Sequence, residues 1–336
     1  MTQTTYKNFC IQKLLEFASP GGVALPVSFD NEGGSMWRRL LQFLCLTLFL
    51  TVAIPGQAQE GYLDVFVVKV KPEKRSEFDA IVKKMVDANR KHKGDAWLTA
   101  ETAFGENNTV YFTSLRTSYA DIDKGMEGFS GAVNKAYGQA GAAKLFQDFN
   151  NCITSGRSEL RRRRADLSSN APSDPAALTK LIGESRWLRT AMVRLRPGRT
   201  ADYEAQLKVN KAALEKAASG MPLLISQSVA GVQGTVFYIS SLRSSMGGFD
   251  TAATPLAQLL GEEGYQKYLK TVSESVSSTE TIINRLLPEL SNPPEEIVAV
   301  APNFWRPKPA EPKTKPAEAK PKPPTGEGGT GASKKQ

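Results

Sequence analysis

Hydrophobic and polar positions along this chain run through one series of patterns and then repeat it. Residues 62–71 (Tyr-Leu-Asp-Val-Phe-Val-Val-Lys-Val-Lys) are rich in β-branched and aromatic types and stop at Pro72, which predicts a strand. Pro72 suits the first turn of a helix. Phe78, Ile81, Val82, Met85 and Val86 then recur at helical spacing with charges between them, and Gly94-Asp95 closes that helix. Residues 96–104 and 108–116 read as a hairpin around Gly105-Glu-Asn-Asn, and 118–151 as a helical region. The last element is ambiguous alone, because residues 156–165, with Arg161-Arg-Arg-Arg164, also read as a basic helix. Its later partner, residues 279–287, is β-branched and bounded by Pro288, which favours a strand in both.

The second pass is recognisable residue by residue. Val68-Lys-Val-Lys-Pro72 returns as Val193-Arg-Leu-Arg-Pro197, Thr109-Val-Tyr-Phe112 as Thr235-Val-Phe-Tyr238, and Leu115-Arg-Thr-Ser118 with Asp123 as Leu242-Arg-Ser-Ser245 with Asp250. Anchors that return after roughly 125 residues predict a duplicated unit. Each unit has the order β-α-β-β-α-β, the split βαβ of ferredoxin-like folds. The expected organisation is a first repeat over 59–168, a linker over 169–184 with a short helix near 175–183, and a second repeat over 185–295.

The ends of the chain read differently. Trp37-Arg-Arg39, the apolar run 40–54 and Gly56-Gln-Ala58 make the positive, apolar and small-residue pattern of a secretory signal peptide over 36–58. Residues 1–35 are expected to be a non-native leader, with translation starting at Met36. Once the signal is cleaved no transmembrane segment is expected, and the location would be periplasmic or secreted. From 296 to 336 the chain reads as a disordered Pro/Lys-rich tail. From Ala301 on, eight Lys and Arg stand against three Glu, so much of the net charge of +9 belongs to the tail. That argues against a nucleic-acid partner, and fits a spacer or a tether to an anionic cell-envelope polymer.

A strand ending in Val-x-Val-x-Pro, a helix with an early aromatic, a hairpin, then a late helix and strand resemble the dimeric α/β-barrel superfamily. That group includes antibiotic-biosynthesis-monooxygenase-type and NIPSNAP-like proteins. The resemblance spans about 60–168 and 185–291. It implies an α+β fold in which two tandem ferredoxin-like βαββαβ repeats pair into one intramolecular, pseudo-dimeric α/β barrel, so that the protein is a monomer. Haem-binding members depend on histidine. Here the chain departs from them, because its single histidine, His92, sits in a cationic run at a helix end.

Candidate chemistry is sparse. One histidine and one cysteine after the signal, Cys152, allow neither a catalytic triad nor a His/Cys metal site, so no metal and no cofactor are expected. Cys152 reads as a buried apolar residue. A ligand site for a small hydrophobic or aromatic molecule is expected from Trp97, Glu101, Tyr111 and Lys69, with Glu101 as the candidate catalytic base; the structural alternative has Glu101 pairing with Lys69 across the sheet. Arg116 and Arg243, at matching strand ends, are expected to pair with Asp123 and Asp250. Arg161 to Arg164 read as a solvated edge strand whose alternate residues face opposite sides. The functional reading is an exported, non-catalytic barrel that binds a small molecule or a cell-envelope partner. Its alternative is a cofactor-independent monooxygenase-like enzyme acting on an aromatic substrate in the first-repeat cavity.

Overall fold

The computed structural model describes residues 61–172, 174–217, 220–250 and 254–307. The expected leader with Cys10, the signal segment with Met36 and Cys45, and the Pro/Lys stretch beyond 307 lie outside the described residues.

The strands are β1 (Tyr62–Val70), β2 (Leu98–Phe104), β3 (Thr109–Arg116), β4 (Ile153–Arg163), β5 (Trp187–Leu195), β6 (Leu224–Ala230), β7 (Val236–Arg243) and β8 (Val276–Leu286). The helices are α1 (Arg75–His92), α2 (Tyr119–Asn151), α3 (Pro175–Glu184), α4 (Thr200–Lys216), α5 (Leu256–Ser275), α6 (Glu295–Val300) and α7 (Pro302–Trp305). The order strand-helix-strand-strand-helix-strand therefore occurs twice, with α3 between the two runs. Among the described residues, no helix is long and apolar enough to cross a membrane.

All eight strands close into one antiparallel barrel in the order β1-β3-β2-β8-β5-β7-β6-β4. Within each half the strands lie in the order β4-β1-β3-β2 and β8-β5-β7-β6, and the halves meet at two seams, β2 with β8 and β4 with β6. Closure leaves no unpaired strand edge. For this reason the arginine run on β4 is not a solvated edge. Pairing on both sides buries Arg164 and leaves only 12 % of the Arg161 side chain exposed.

Helices α1, α2 and α4 cover the outside of the barrel. Val68, Val70 and Val110 face α1 and α2, where they pack with Phe78, Val82, Met85 and Val133. Val193 and Phe237 face α4, where they meet Tyr203 and Leu207. Each late helix breaks at a glycine of positive φ, Gly138 (69°) in α2 and Gly261 (68°) in α5, a backbone shape that glycine adopts without steric cost. A serine caps the helical turn after each hairpin: Ser118 accepts from the Asp121 amide, and Ser245 from the Gly248 amide.

The chain does not pass into a tail at residue 296. α6 and α7 fold back on α3, burying Ile297, Val298 and Trp305 together with Ile182, Ala100 and Leu286. The Trp305 indole donates to the Gly183 carbonyl at 3.0 Å. Apolar residues here have a surface to cover, which outweighs the neighbouring prolines.

The barrel interior holds a charged cluster. Glu159 is nearly inaccessible, and it accepts from Arg157 at 2.6 Å, from Arg161 at 2.6 Å and from the Tyr238 hydroxyl at 3.0 Å. The Arg161 guanidinium also lies over the Tyr238 ring, 3.7 Å from its centre, a stabilising cation–π geometry.

Candidate functional site

Opposed residues of paired strands share a face of the sheet, and this divides the four residues expected to share a pocket. Tyr111 lies opposite Val67, and Lys69 follows two residues later on the same face of β1, so both take the barrel side. Trp97 packs among the residues that face α1 and α2. Glu101, opposite Val110, takes the same outer side. Glu101 does not pair with Lys69. It accepts from Arg75 at the start of α1 at 2.5 Å, with Arg285 at 4.0 Å, while Lys69 pairs with Glu106 at 2.7 Å. Salt bridging thus occupies the expected base on a part of the wall away from the cavity described next. Burial pushes the Tyr111 hydroxyl above its ordinary range.

The cavity of the first half lies between the outer face of the sheet and helices α1 and α2, with a volume of about 660 Å³. Of the four expected residues, Trp97 lines it. Its walls are otherwise Phe66 and Phe112 from the sheet, Val82 and Met85 from α1, and Ile122, Phe129, Phe146 and Phe149 from α2. Ring contacts tie the wall together, with Trp97 and Phe129 edge-on at 5.7 Å and Phe129 and Phe146 at 6.1 Å. Exposed Met126, Asn150 and Ser158 mark its mouth.

Trp97 is fixed from the far end of the chain. Its indole donates to the Leu290 carbonyl at 2.9 Å, and its backbone pairs with Asn292 in both directions. The Thr99 hydroxyl shares the Leu290 carbonyl at 2.6 Å. The turn after β8 therefore holds part of the first-half wall in place.

One end of the cavity is charged. Arg116, at the end of β3, is 8 % exposed. It donates through both terminal nitrogens to Asp95 at 2.6 Å, and to Asp64 Oδ2 at 3.4 Å. Hydrogen bonding to Asp95 raises the Arg116 pKa despite the opposing effect of burial. Asp123 does not line the cavity, and Asp64 and Asp95 take the role expected of it. Gly125 lies against the guanidinium, where a Cβ would collide with it.

The second half lacks this end. Register places Arg189 opposite Ser241, as Asp64 is opposite Ser114, and Arg243 opposite Trp187, as Arg116 is opposite Tyr62. Arg243 contacts the Met221 sulfur and the carbonyls of Leu242 and Gly248. Asp64 and Asp95 do not emerge from what the two halves of the sequence share. Their signal is the opposite one: an acid that the second half lacks.

No protein-family model matches the chain, and no curated protein matches it. Solved structures do. An anthrone oxidase-like protein aligns at 10 % identity with a TM-score of 0.45, covering 68 % of this chain and 92 % of its own. A candidate monooxygenase from Lactobacillus acidophilus NCFM aligns at 12 % identity with a TM-score of 0.40, covering 68 % and 94 %. Chlorite dismutase from Candidatus Nitrospira defluvii aligns at 11 % identity with a TM-score of 0.39, covering 73 % and 97 %.

Proposed function

We propose that this protein binds a small aromatic molecule in the cavity between the sheet and helices of its first half. The carrying observation is the 660 Å³ space itself, walled by aromatic and aliphatic side chains and charged at one end. An apolar cleft with a few convergent polar groups is the usual form of a small-molecule site. The neutral fluorescent probe N-phenyl-1-naphthylamine tests it. One saturable site per chain is expected, weakened in Ile122→Trp, which narrows the space. Absence of saturable binding overturns the reading.

A second reading, cofactor-independent oxygenation of the bound aromatic, is favoured by one observation. Asp64 stands on the cavity wall beside Arg116 with 29 % of its side chain exposed. Asp64 would take a proton from an acidic substrate group, and the ring-lined wall would keep water away. Oxygen uptake with electron-rich polyphenols, abolished by Asp64→Asn, tests it. Histidine-ligated haem does not fit this cavity. The single histidine, His92, is on the last turn of α1 and is not among the lining residues.

The two halves are tandem copies of one ferredoxin-like unit in this reading. Support comes from the shared element order, the matched glycine breaks at Gly138 and Gly261, and the matched serine caps. Export to the periplasm or exterior is supported by the 36–58 pattern, and a tethering role for the tail by its Pro/Lys composition. Cleavage at Ala58 in an exporting host, read by N-terminal sequencing, tests the export.

A further inference from the structure

Granting that the first-half cavity is a ligand site, its charged end also selects the ligand. Two carboxylates, Asp64 and Asp95, face the single guanidinium of Arg116. Asp95 commits both oxygens to that guanidinium at 2.6 Å. Asp64 is held through one oxygen at 3.4 Å and keeps 29 % of its side chain exposed. The arginine charge is therefore largely taken up by Asp95, and Asp64 faces the cavity with acceptor capacity to spare.

Packing does not ask for these acids. The second half builds the same strand ends with Arg189 in the place of Asp64, and Met221 beside Arg243. Two acids at this end belong to the half that has the aromatic cavity. Asp64 also shares a face of β1 with Phe66, and Phe112 and Phe149 stand near that ring. A cation lodged there meets a carboxylate and ring faces together.

We infer that the ligand carries a protonated amine on an aromatic body, with the amine donating to Asp64. Coulomb attraction in apolar surroundings and cation–π contact both favour that head group. An aromatic carboxylate of the same size meets repulsion from the surplus negative charge.

Three probes of one shape separate the outcomes: 1-naphthylmethylamine, 1-naphthalenemethanol and 1-naphthoate, titrated calorimetrically at pH 7 against the exported chain and its Asp64→Asn variant. The amine is expected to bind at least about tenfold more tightly than the carboxylate, with the alcohol between them. In Asp64→Asn, with an unchanged circular dichroism spectrum, that ratio should shrink to within about threefold. Equal or tighter binding of 1-naphthoate overturns the amine assignment while leaving the cavity a ligand site. An unchanged ratio in Asp64→Asn overturns the role of Asp64. If N-phenyl-1-naphthylamine and all three probes fail to bind, the cavity reading falls and the amine assignment falls with it.

Discussion

The two terminal nitrogens of Arg116 stand 2.6 Å from the two carboxylate oxygens of Asp95, a fork-to-fork pair at the charged end of the cavity. Planar, bidentate pairing of this kind is the strongest form of a protein ion pair. It allows a nearly buried cation to sit beside an aromatic wall.

Removing one partner from such a pair leaves the other charged and poorly solvated. Asp95→Asn is therefore expected to cost about 3 kcal/mol in urea denaturation. A loss below about 1 kcal/mol would mean that Arg116 finds carbonyl acceptors, as Arg243 does with Leu242 and Gly248.

Gly125 gives a test whose sign is informative. Glycine to alanine within an exposed helix ordinarily stabilises by about 1 kcal/mol. Here the added Cβ would run into the Arg116 guanidinium, and overpacking costs about 1–3 kcal/mol. Gly125→Ala should lower the melting temperature, and the double variant Gly125→Ala with Arg116→Ala should recover part of that loss relative to Arg116→Ala.

The cluster inside the barrel makes a prediction about pH. Burial alone would raise the Glu159 pKa, but the charges and hydrogen bonds of Arg161 and Arg157 outweigh it and hold the carboxyl below its ordinary 4.5. A depressed carboxylate contributes stability that is complete above the unfolded value and lost as pH falls through the folded one. Tyr238, with burial the largest cause, is pushed from 10.0 up to about 12, so its contribution is present below 10.0 and lost as pH rises through that range. Glu159→Gln should cost about 3 kcal/mol at pH 7 and flatten the acid limb of stability against pH. Tyr238→Phe should flatten the alkaline limb. Parallel limbs in wild type and variants would sink the assignment.

Because the eight strands close within one chain, the protein is expected to be monomeric in light scattering at micromolar concentration. A stable dimer in which sheet residues exchange between chains would contradict the topology.

Much of the fold was readable because hydrophobic spacing and the repeat agree at most elements. The strand reading of β4 came from β8, whose Ile282 and Ile283 resolve what the arginine run obscures. The match of Thr109-Val-Tyr-Phe with Thr235-Val-Phe-Tyr, by contrast, slipped by one residue. Strand register sets Val68 opposite Val110 and the equivalent Val193 opposite Phe237. Tyr111 therefore corresponds to Tyr238, and both face the barrel interior, whereas the sequence match had paired Tyr111 with Phe237. One residue of slip exchanges the two faces of a strand, and the extra residue sits in the second hairpin turn, where local patterning is silent. The cavity was less readable still. Glu101 and Tyr111 are two strands' worth of plausible chemistry on opposite faces, while Arg116, Asp95 and Asp64 meet only through β1–β3 pairing and the turn into β2. Nor does spacing reveal that Leu290 and Asn292 hold Trp97.

The seams have a consequence for how the molecule could be cut. Ala100 must find Leu286, and Arg162 must find Gln227, so closure depends on contacts far apart in the sequence and is expected late in folding. A chain severed at the linker would leave each half with two bare strand edges, a surface that recruits further strands. The nearest complementary edges in a solution of one half belong to another copy of that half. Gene fragments of this protein should thus rebuild a closed barrel from two molecules, turning what is an internal seam into an oligomer interface.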